Sequence, residues 1–192
     1  MRRHLRLSSP CLALLAGCAS APAPNATELL AGATPGATAR MTLAGSEILS
    51  VAAPIEYREL PARARTTCDG IAPDGELEFC GWERGERGIG YRVEKSYAQP
   101  IEHVRSLLVD RDGNVLERSH TVPLAKVPEH VLSAALASGT FVDRAEIVSG
   151  PVREEYWHLV VRNRHGEVFL CRIGLDGGSL EVRRRQHTRI DS

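Results

Sequence analysis

The chain has 192 residues, of which 43% are apolar, and its 24 basic side chains are balanced by 24 acidic ones. This length and composition allow one domain, or two small ones, with a real apolar core. The balanced charge argues against nucleic-acid binding, which normally needs a basic face. No run of 18 apolar residues is present, so the sequence predicts no membrane-spanning helix.

Residues 1–17 have the composition of a secretory signal peptide. Residues 1–6 read MRRHLR and are positively charged, and residues 7–17 read LSSPCLALLAG and are mainly apolar. This apolar region is too short to anchor the chain in a membrane. Residues 15–18 then read LAGC, where a small-x-small cleavage site would be usual.

The LAGC tetrapeptide resembles the lipobox of bacterial lipoproteins. The resemblance implies cleavage before Cys18, lipidation of Cys18 and attachment of the chain to a membrane through that lipid. Because Ala19 rather than Asp follows the cysteine, it also implies a place in the cell envelope at the outer membrane, facing the periplasm. An ordinary signal peptide with a chance cysteine is the alternative.

Residues 18–45 are predicted to form the lipidated N-terminus and a flexible linker. Ala, Pro, Gly and Thr dominate this segment, and large apolar residues are few. Such a composition cannot bury enough apolar surface to order the chain. Apolar alternation and turn signals begin near Ser46, so the folded part is expected to start there.

Residues 46–122 are predicted to form a first folded unit. A short, weakly marked helix is expected at ELPARARTT (59–67), with Pro61 at a position that tolerates proline. Apolar segments bounded by turn residues follow, as in β-strands. These candidate strands span 76–82, 90–97, 101–109 and 114–118.

Residues 123–192 are predicted to form a second unit. Apolar residues recur at helical spacing between Val131 and Leu136, and Gly139 follows as a helix stop. Four β-rich segments with Gly, Asn and Asp turns then predict an antiparallel meander. They span 141–148, 155–162, 167–173 and 179–183. A basic tail, RRRQHTR (183–189), is expected to be solvated, with contact to anionic lipid heads as the alternative.

The two units share landmarks in the same order. Pro61 and Pro128 each stand at the start of a candidate helix, and LLVDRDGNVLE (107–117) matches CRIGLDGGSLE (171–181) as strand, Asp-Gly turn and strand. This indicates an internal repeat of about 65 residues. The expected fold class is therefore α+β: two tandem helix-plus-antiparallel-meander units, with one curved sheet across both as an option.

The segments VPEHVLSAAL (127–136) and VRNRHGEVFLCRIGLDGGSLEV (161–182) resemble PepSY-type domains. The tandem arrangement resembles the β-lactamase-inhibitor-protein-like fold, in which two such units make one curved sheet. The resemblance covers about residues 55–183. It implies a secreted, non-enzymatic protein that binds or restrains another protein, often a hydrolase.

Motifs of catalysis and metal binding are missing from the sequence. There is no G-x-S-x-G, no phosphate-binding glycine loop and no H-E-x-x-H, and no two histidines are spaced as a ligand pair. We therefore expect no catalytic residue, metal or cofactor. A hydrolase of unrecognised type is the alternative, because carboxylates that pair in space are invisible in a sequence.

Three cysteines remain beyond Cys11 and Cys18. Cys68 and Cys80 are candidates for a disulfide in an oxidising compartment, where the closed loop would contribute about 3 kcal/mol. Cys171 alternates with Phe169 and Ile173 in a strand, which predicts a buried thiol in the core.

Two neighbouring strands of the second unit carry a candidate partner-binding face. It mixes apolar side chains with Tyr and Arg, which are common interface anchors. Packing of the same face against the other repeat is an equal alternative. The face consists of Tyr156, His158, Val160, Val168, Leu170 and Arg172.

These patterns and the two family resemblances together imply a lipid-anchored, non-catalytic module that binds or inhibits a protein, such as a secreted or envelope hydrolase. The alternative is a structural lipoprotein that scaffolds an envelope complex.

Overall fold

A computed structural model describes residues 29, 31, 33–85, 88–98, 103–150, 155–178 and 180–190. The predicted signal peptide (1–17), the predicted lipidation site Cys18 and the first part of the predicted linker lie outside the described residues. None of the helices in the described ranges is long and apolar enough to cross a membrane.

The described chain consists mainly of antiparallel strands with two short helices. Helix α1 is Ala62–Ile71 and helix α2 is Glu129–Leu136, and short 3-10 turns precede them at Tyr57–Glu59 and Leu124–Lys126. The strands are β1 Thr38–Ala44, β2 Glu47–Pro54, β3 Glu76–Gly85, β4 Gly88–Tyr97, β5 His103–Val109, β6 Val115–Thr121, β7 Phe141–Ser149, β8 Glu155–Arg162, β9 Val168–Gly174 and β10 Leu180–Arg189.

The ten strands form one closed barrel in which each strand pairs with its neighbours in the chain. Strand β1 closes it by pairing with β10, from Thr38 opposite Arg189 to Leu43 opposite Arg184. The predicted α+β fold class of two helix-plus-meander units is therefore wrong. The strands of both units belong to one sheet, joined through β6 and β7, and closure leaves no edge of the described sheet unpaired.

Both ends of the described chain differ from the sequence-based expectation. Thr38–Ala44, assigned to the flexible linker, forms β1. The basic segment 183–189, assigned to a solvated tail, forms most of β10. Each segment is weakly apolar by itself and is held as a strand by the other, which shows how tertiary pairing overrides local preference.

The apolar core lies on the outer side of the sheet, beneath the two helices. Val131 and Ala135 of α2 pack in one cluster with outward-facing residues of β7, β8 and β9. Ala64 and Cys68 of α1 pack in a second cluster with residues of β3, β4 and β5. A third, smaller cluster joins Leu29 to β1 and β2. Because successive side chains of a strand point to opposite faces, the residues between those of the apolar clusters point to the inner side of the sheet.

Candidate functional site

The barrel encloses a cavity of about 470 Å³, and all ten strands contribute to its lining. The alternation is clear in β8, where Trp157 and Leu159 are buried under α2 while Tyr156 and His158 line the cavity. The charged members of the lining are Arg40, Glu83, Arg92, Glu94, Glu117, Arg144, Glu146, Arg172, Arg183 and Arg185. The inside of the barrel is thus a charged chamber and the apolar core surrounds it.

Arg92 of β4 is the centre of a first group of ion pairs. Its Nε lies 2.5 Å from Oε2 of Glu83, and its Nη2 lies 3.0 Å from Oε1 of Glu117. Nη1 donates a hydrogen bond to Oγ of Ser106 at 3.1 Å. Burial alone would lower the pKa of Arg92, but the two carboxylates raise it well above its usual value. Each of the three nitrogens of this guanidinium therefore has a partner.

Glu94, two residues further along β4, is buried and accepts a hydrogen bond from Nη1 of Arg40 at 3.0 Å. The guanidinium of Arg40 also lies 3.8 Å from the ring centre of Phe79. This is a cation–π contact, which the negative face of the aromatic ring stabilises. The pair links β1 to β4 across the interior of the barrel.

Glu146 of β7 is the centre of a third group. One of its carboxylate oxygens lies 2.7 Å from Nη2 of Arg144, and the other lies 3.4 Å from Nδ1 of His158. Burial would raise the pKa of Glu146, but the hydrogen bond to His158 and the charge of Arg144 lower it to about 2. Nε of Arg144 is buried and has no hydrogen-bond partner among the described residues.

Arg185 of β10 differs from the other lining arginines. It stands opposite Thr42 in the β1–β10 pair, and within the described part of the chain its guanidinium has no hydrogen bond or ion pair. Burial and the charge of Arg40 lower the pKa of Arg185 to about 10. The pKa of His187 is lowered too, first by burial and then by the charges of Arg185 and Arg40. Positive charge is therefore in excess at this place in the cavity.

The candidate partner-binding face lies on the inner side of the barrel. Tyr156, His158, Leu170 and Arg172 line the cavity, and the guanidinium of Arg172 lies 4.0 Å from the ring centre of Tyr156. The other two members share the faces of these residues by alternation: Val160 is buried and Val168 is half-buried. The structure thus brings the six residues together, although a partner would have to enter the cavity to reach them.

The three cysteines lie in the outer clusters and not in the cavity. Cys68 and Cys80 lie in the same cluster under α1, and burial raises the pKa values of their thiols to about 11 and about 12. The disulfide between them stays a prediction. Cys171 is buried under α2, which confirms the core position predicted for it.

Sequence reasoning missed most of the charged lining. The signal that was available is the pattern R-x-E within a strand, at Arg92–Glu94 and again at Arg144–Glu146. Residues two apart point to the same side of a strand, so this pattern indicates a paired, charged face opposite an apolar one.

As for metals, the described residues hold no group of three His, Cys, Asp or Glu side chains that could bind an ion.

Comparison with known proteins gives similarity to solved structures only. No family model and no curated protein matches the chain. A Bacteroides eggerthii protein described as periplasmic is similar with 15% identity and a TM-score of 0.46, over 68% of this chain and 91% of that one. A DUF2874 family protein from Bacteroides uniformis has 16% identity and a TM-score of 0.45, over 66% and 88%. A BLIP-like protein from Bacteroides fragilis has 16% identity and a TM-score of 0.42, over 64% and 84%.

Proposed function

We propose that this chain is a lipid-anchored protein of the cell envelope and that its barrel is a non-catalytic binding module. The lipid would be carried by Cys18 in the LAGC motif, and the outer membrane, facing the periplasm, is the proposed location. The proposed partner is another protein, and a secreted or envelope hydrolase held in check is the class implied by the sequence resemblance.

The main support for a binding role is that the four glutamates in the cavity are ion-paired with arginines. Each of them is within ion-pair distance of an arginine. A general acid or base works best with a pKa near the working pH, whereas the pKa of Glu146 is about 2. The thiols have raised pKa values and lie outside the cavity, so they are not activated nucleophiles. This arrangement supports recognition rather than turnover.

A second surface for a protein partner lies on the outside of β10. Leu180 and Val182 are 45% and 38% exposed. They stand opposite Ile173 and Cys171 of β9, which are buried in the cluster under α2. The apolar outer side of the sheet thus continues beyond the part that α2 covers. We define Leu180 and Val182 as the outer strip.

The test is capture of partners from cross-linked envelope with a C-terminally tagged chain. Three variants are compared with the parent: Tyr156→Ala with Leu170→Ala for the inner face, Leu180→Asp with Val182→Asp for the outer strip, and Ile89→Asp as a matched control on another exposed apolar residue. Each must retain the circular dichroism spectrum and melting temperature of a folded barrel.

A single enzyme captured by the parent and by Ile89→Asp, but lost from one of the other variants, would support the binding module and locate its surface. Capture of a stable multi-protein assembly by every variant would favour the structural lipoprotein instead. Substrate turnover that a single carboxylate substitution abolishes would contradict the non-catalytic role. The anchor is tested separately, since Cys18→Ala should lose radiolabelled palmitate and leave the membrane fraction.

A further inference from the structure

Among the described residues that line the cavity, arginines outnumber glutamates. Six arginines and four glutamates line it, and Arg183 is paired with a fifth carboxylate, Glu181, at 2.6 Å. Positive charge is therefore in excess among the described residues that line the cavity. Since a cation withdrawn from water without a counter-ion is costly, the site is complementary to a ligand that brings negative charge.

The place for that charge is the guanidinium of Arg185. The pairs Arg40–Glu94, Arg144–Glu146 and Arg92 with its two glutamates occupy the neighbouring cations. Arg185 is in the middle of β10 and, within the described residues, has no ion pair. A planar guanidinium matches a carboxylate with two parallel hydrogen bonds. Thr42, its neighbour on β1, also lines the cavity and offers a hydroxyl as a further donor.

The rest of the lining is suited to an apolar body. The apolar side chains in it belong to Leu49, Ala52, Leu108, Leu116 and Leu170. Leu108 and Leu116 stand beside the β5–β6 turn. This end of the barrel also carries the β1–β2 and β3–β4 turns, and we call it the hairpin end. Gly85 and Gly88, which flank the β3–β4 turn, line the cavity at the same end, and they add no side chain there.

We propose that the barrel binds a small organic acid, with its carboxylate on the guanidinium of Arg185 and its apolar body among the leucines toward the hairpin end. The cavity volume of about 470 Å³ is within the range of roughly 300–1,000 Å³ found for small-molecule sites. This inference rests on the proposed role of the barrel as a binding module and adds the class of ligand that enters it.

The experiment is isothermal titration calorimetry on the chain without residues 1–28, using four probes. Octanoate and 3-phenylpropionate supply the carboxylate, and 1-octanol and 3-phenylpropanol are their uncharged counterparts. The proteins are the parent, Arg185→Gln, and Arg189→Gln as a control that removes an exposed arginine from the same strand. Thermal unfolding confirms that all three are folded.

We expect at least one of the two acids to bind the parent and Arg189→Gln with equal affinity, and its alcohol to bind at least tenfold more weakly. Arg185→Gln should weaken the acid at least tenfold and leave the alcohol unchanged. Equal affinity for acid and alcohol, equal binding by Arg185→Gln, or no binding of either acid at millimolar concentration would overturn the inference. A protein partner captured from the envelope in that case would leave the proposed function standing.

Discussion

Thr42 of β1 and Arg185 of β10 stand opposite each other in the strand pair that closes the barrel, and both line its cavity. Closure of the sheet and the position of Arg185, which has no ion pair among the described residues, therefore depend on the same contact. A chain that lost β1 would lose the wall against which Arg185 is held. Strand β1, which the sequence assigned to a flexible linker, therefore helps to position the candidate site.

Removal of residues 1–44 should destabilise the protein strongly, because it deletes β1 together with the buried Leu29 and Leu43. We expect the free energy of unfolding to fall by at least about 3 kcal/mol, given the apolar surface lost, and the newly exposed edges of β2 and β10 should promote aggregation. Urea denaturation measures the change. Removal of residues 1–28 is the control: it keeps Leu29 and β1 and should leave a clearly more stable protein than the longer truncation. Equal stability of the two truncations would contradict closure by β1.

Glu146→Gln should be among the most costly substitutions in the cavity. It leaves the half-buried Arg144 without the carboxylate that it contacts at 2.7 Å, and loss of a partner at such a site typically costs about 1–3 kcal/mol. Glu78→Gln, at an exposed position on β3, should change the stability little. Comparable losses for the two variants in urea denaturation would show that Glu146 is solvated.

The stability of the parent should fall in acid through Glu146. Its folded pKa of about 2 lies below the usual 4.5, so the ionised carboxylate stabilises the fold fully above about pH 4.5. This contribution, on the order of 3 kcal/mol, is lost as the pH falls toward 2. Urea denaturation between pH 7 and pH 2 should therefore show a smaller acid loss in Glu146→Gln than in the parent. Parallel pH profiles would refute the assignment.

Arg185→Met should stabilise the protein while it removes the candidate anion site. The folded pKa of Arg185 is lowered to about 10 by burial and by the charge of Arg40, which means that the charged form opposes folding at every pH below that value. We expect a gain of about 1–2 kcal/mol in the free energy of unfolding. Arg189→Met, at an exposed position on the same strand, should be neutral. Destabilisation by Arg185→Met alone would mean that Arg185 has a structural partner.

Two glycine substitutions should have opposite effects. A Cβ at Gly81 would clash with the carbonyl oxygen of Ala53 and lie 2.6 Å from Cζ of Phe79, so Gly81→Ala should cost about 2–3 kcal/mol. Gly70 is in α1 with nothing within 4 Å of an added Cβ, so Gly70→Ala should gain about 0.5–1 kcal/mol of helix propensity. Thermal unfolding distinguishes the two, and a harmless Gly81→Ala would contradict the β2–β3 register.

Oxidised protein without residues 1–28 should have one titratable thiol after denaturation, if Cys68 and Cys80 form the predicted disulfide. Reduced protein should have three, and these should react slowly with Ellman's reagent before denaturation, because burial raises the pKa values of Cys68 and Cys80 to about 11 and about 12. Three thiols in the oxidised, denatured protein would show that the disulfide does not form.

Individual strands were predictable because the information that defines them is local. The segment 155–162 alternates apolar and polar side chains between turn residues, and it forms β8 with the same bounds. Closure of the barrel was not predictable in the same way. It depends on pairing between residues 38–43 and 184–189, which are separated by most of the chain and are not strongly apolar.

The candidate site was predictable in part for a related reason. Alternation grouped Tyr156 with His158 and Leu170 with Arg172, and these residues do line one side of the sheet. Whether that side faces outward or into a barrel depends on the curvature of the whole sheet, which the pattern of one strand does not contain. The partners Glu94 and Arg40 are 54 residues apart, so their pairing was hidden for the same reason.

The most direct test of a binding barrel is to observe the Arg185 side chain while an acid is added. In a protein labelled with ¹⁵N-arginine, the Nε–Hε signal of Arg185 is assigned by its absence from Arg185→Gln, and 3-phenylpropionate is titrated in. The account predicts a saturable shift of this signal while the signal of Arg189 stays in place. A stationary Arg185 signal, or shifts confined to exposed arginines, would contradict the claim that the cavity is where this protein binds its ligand.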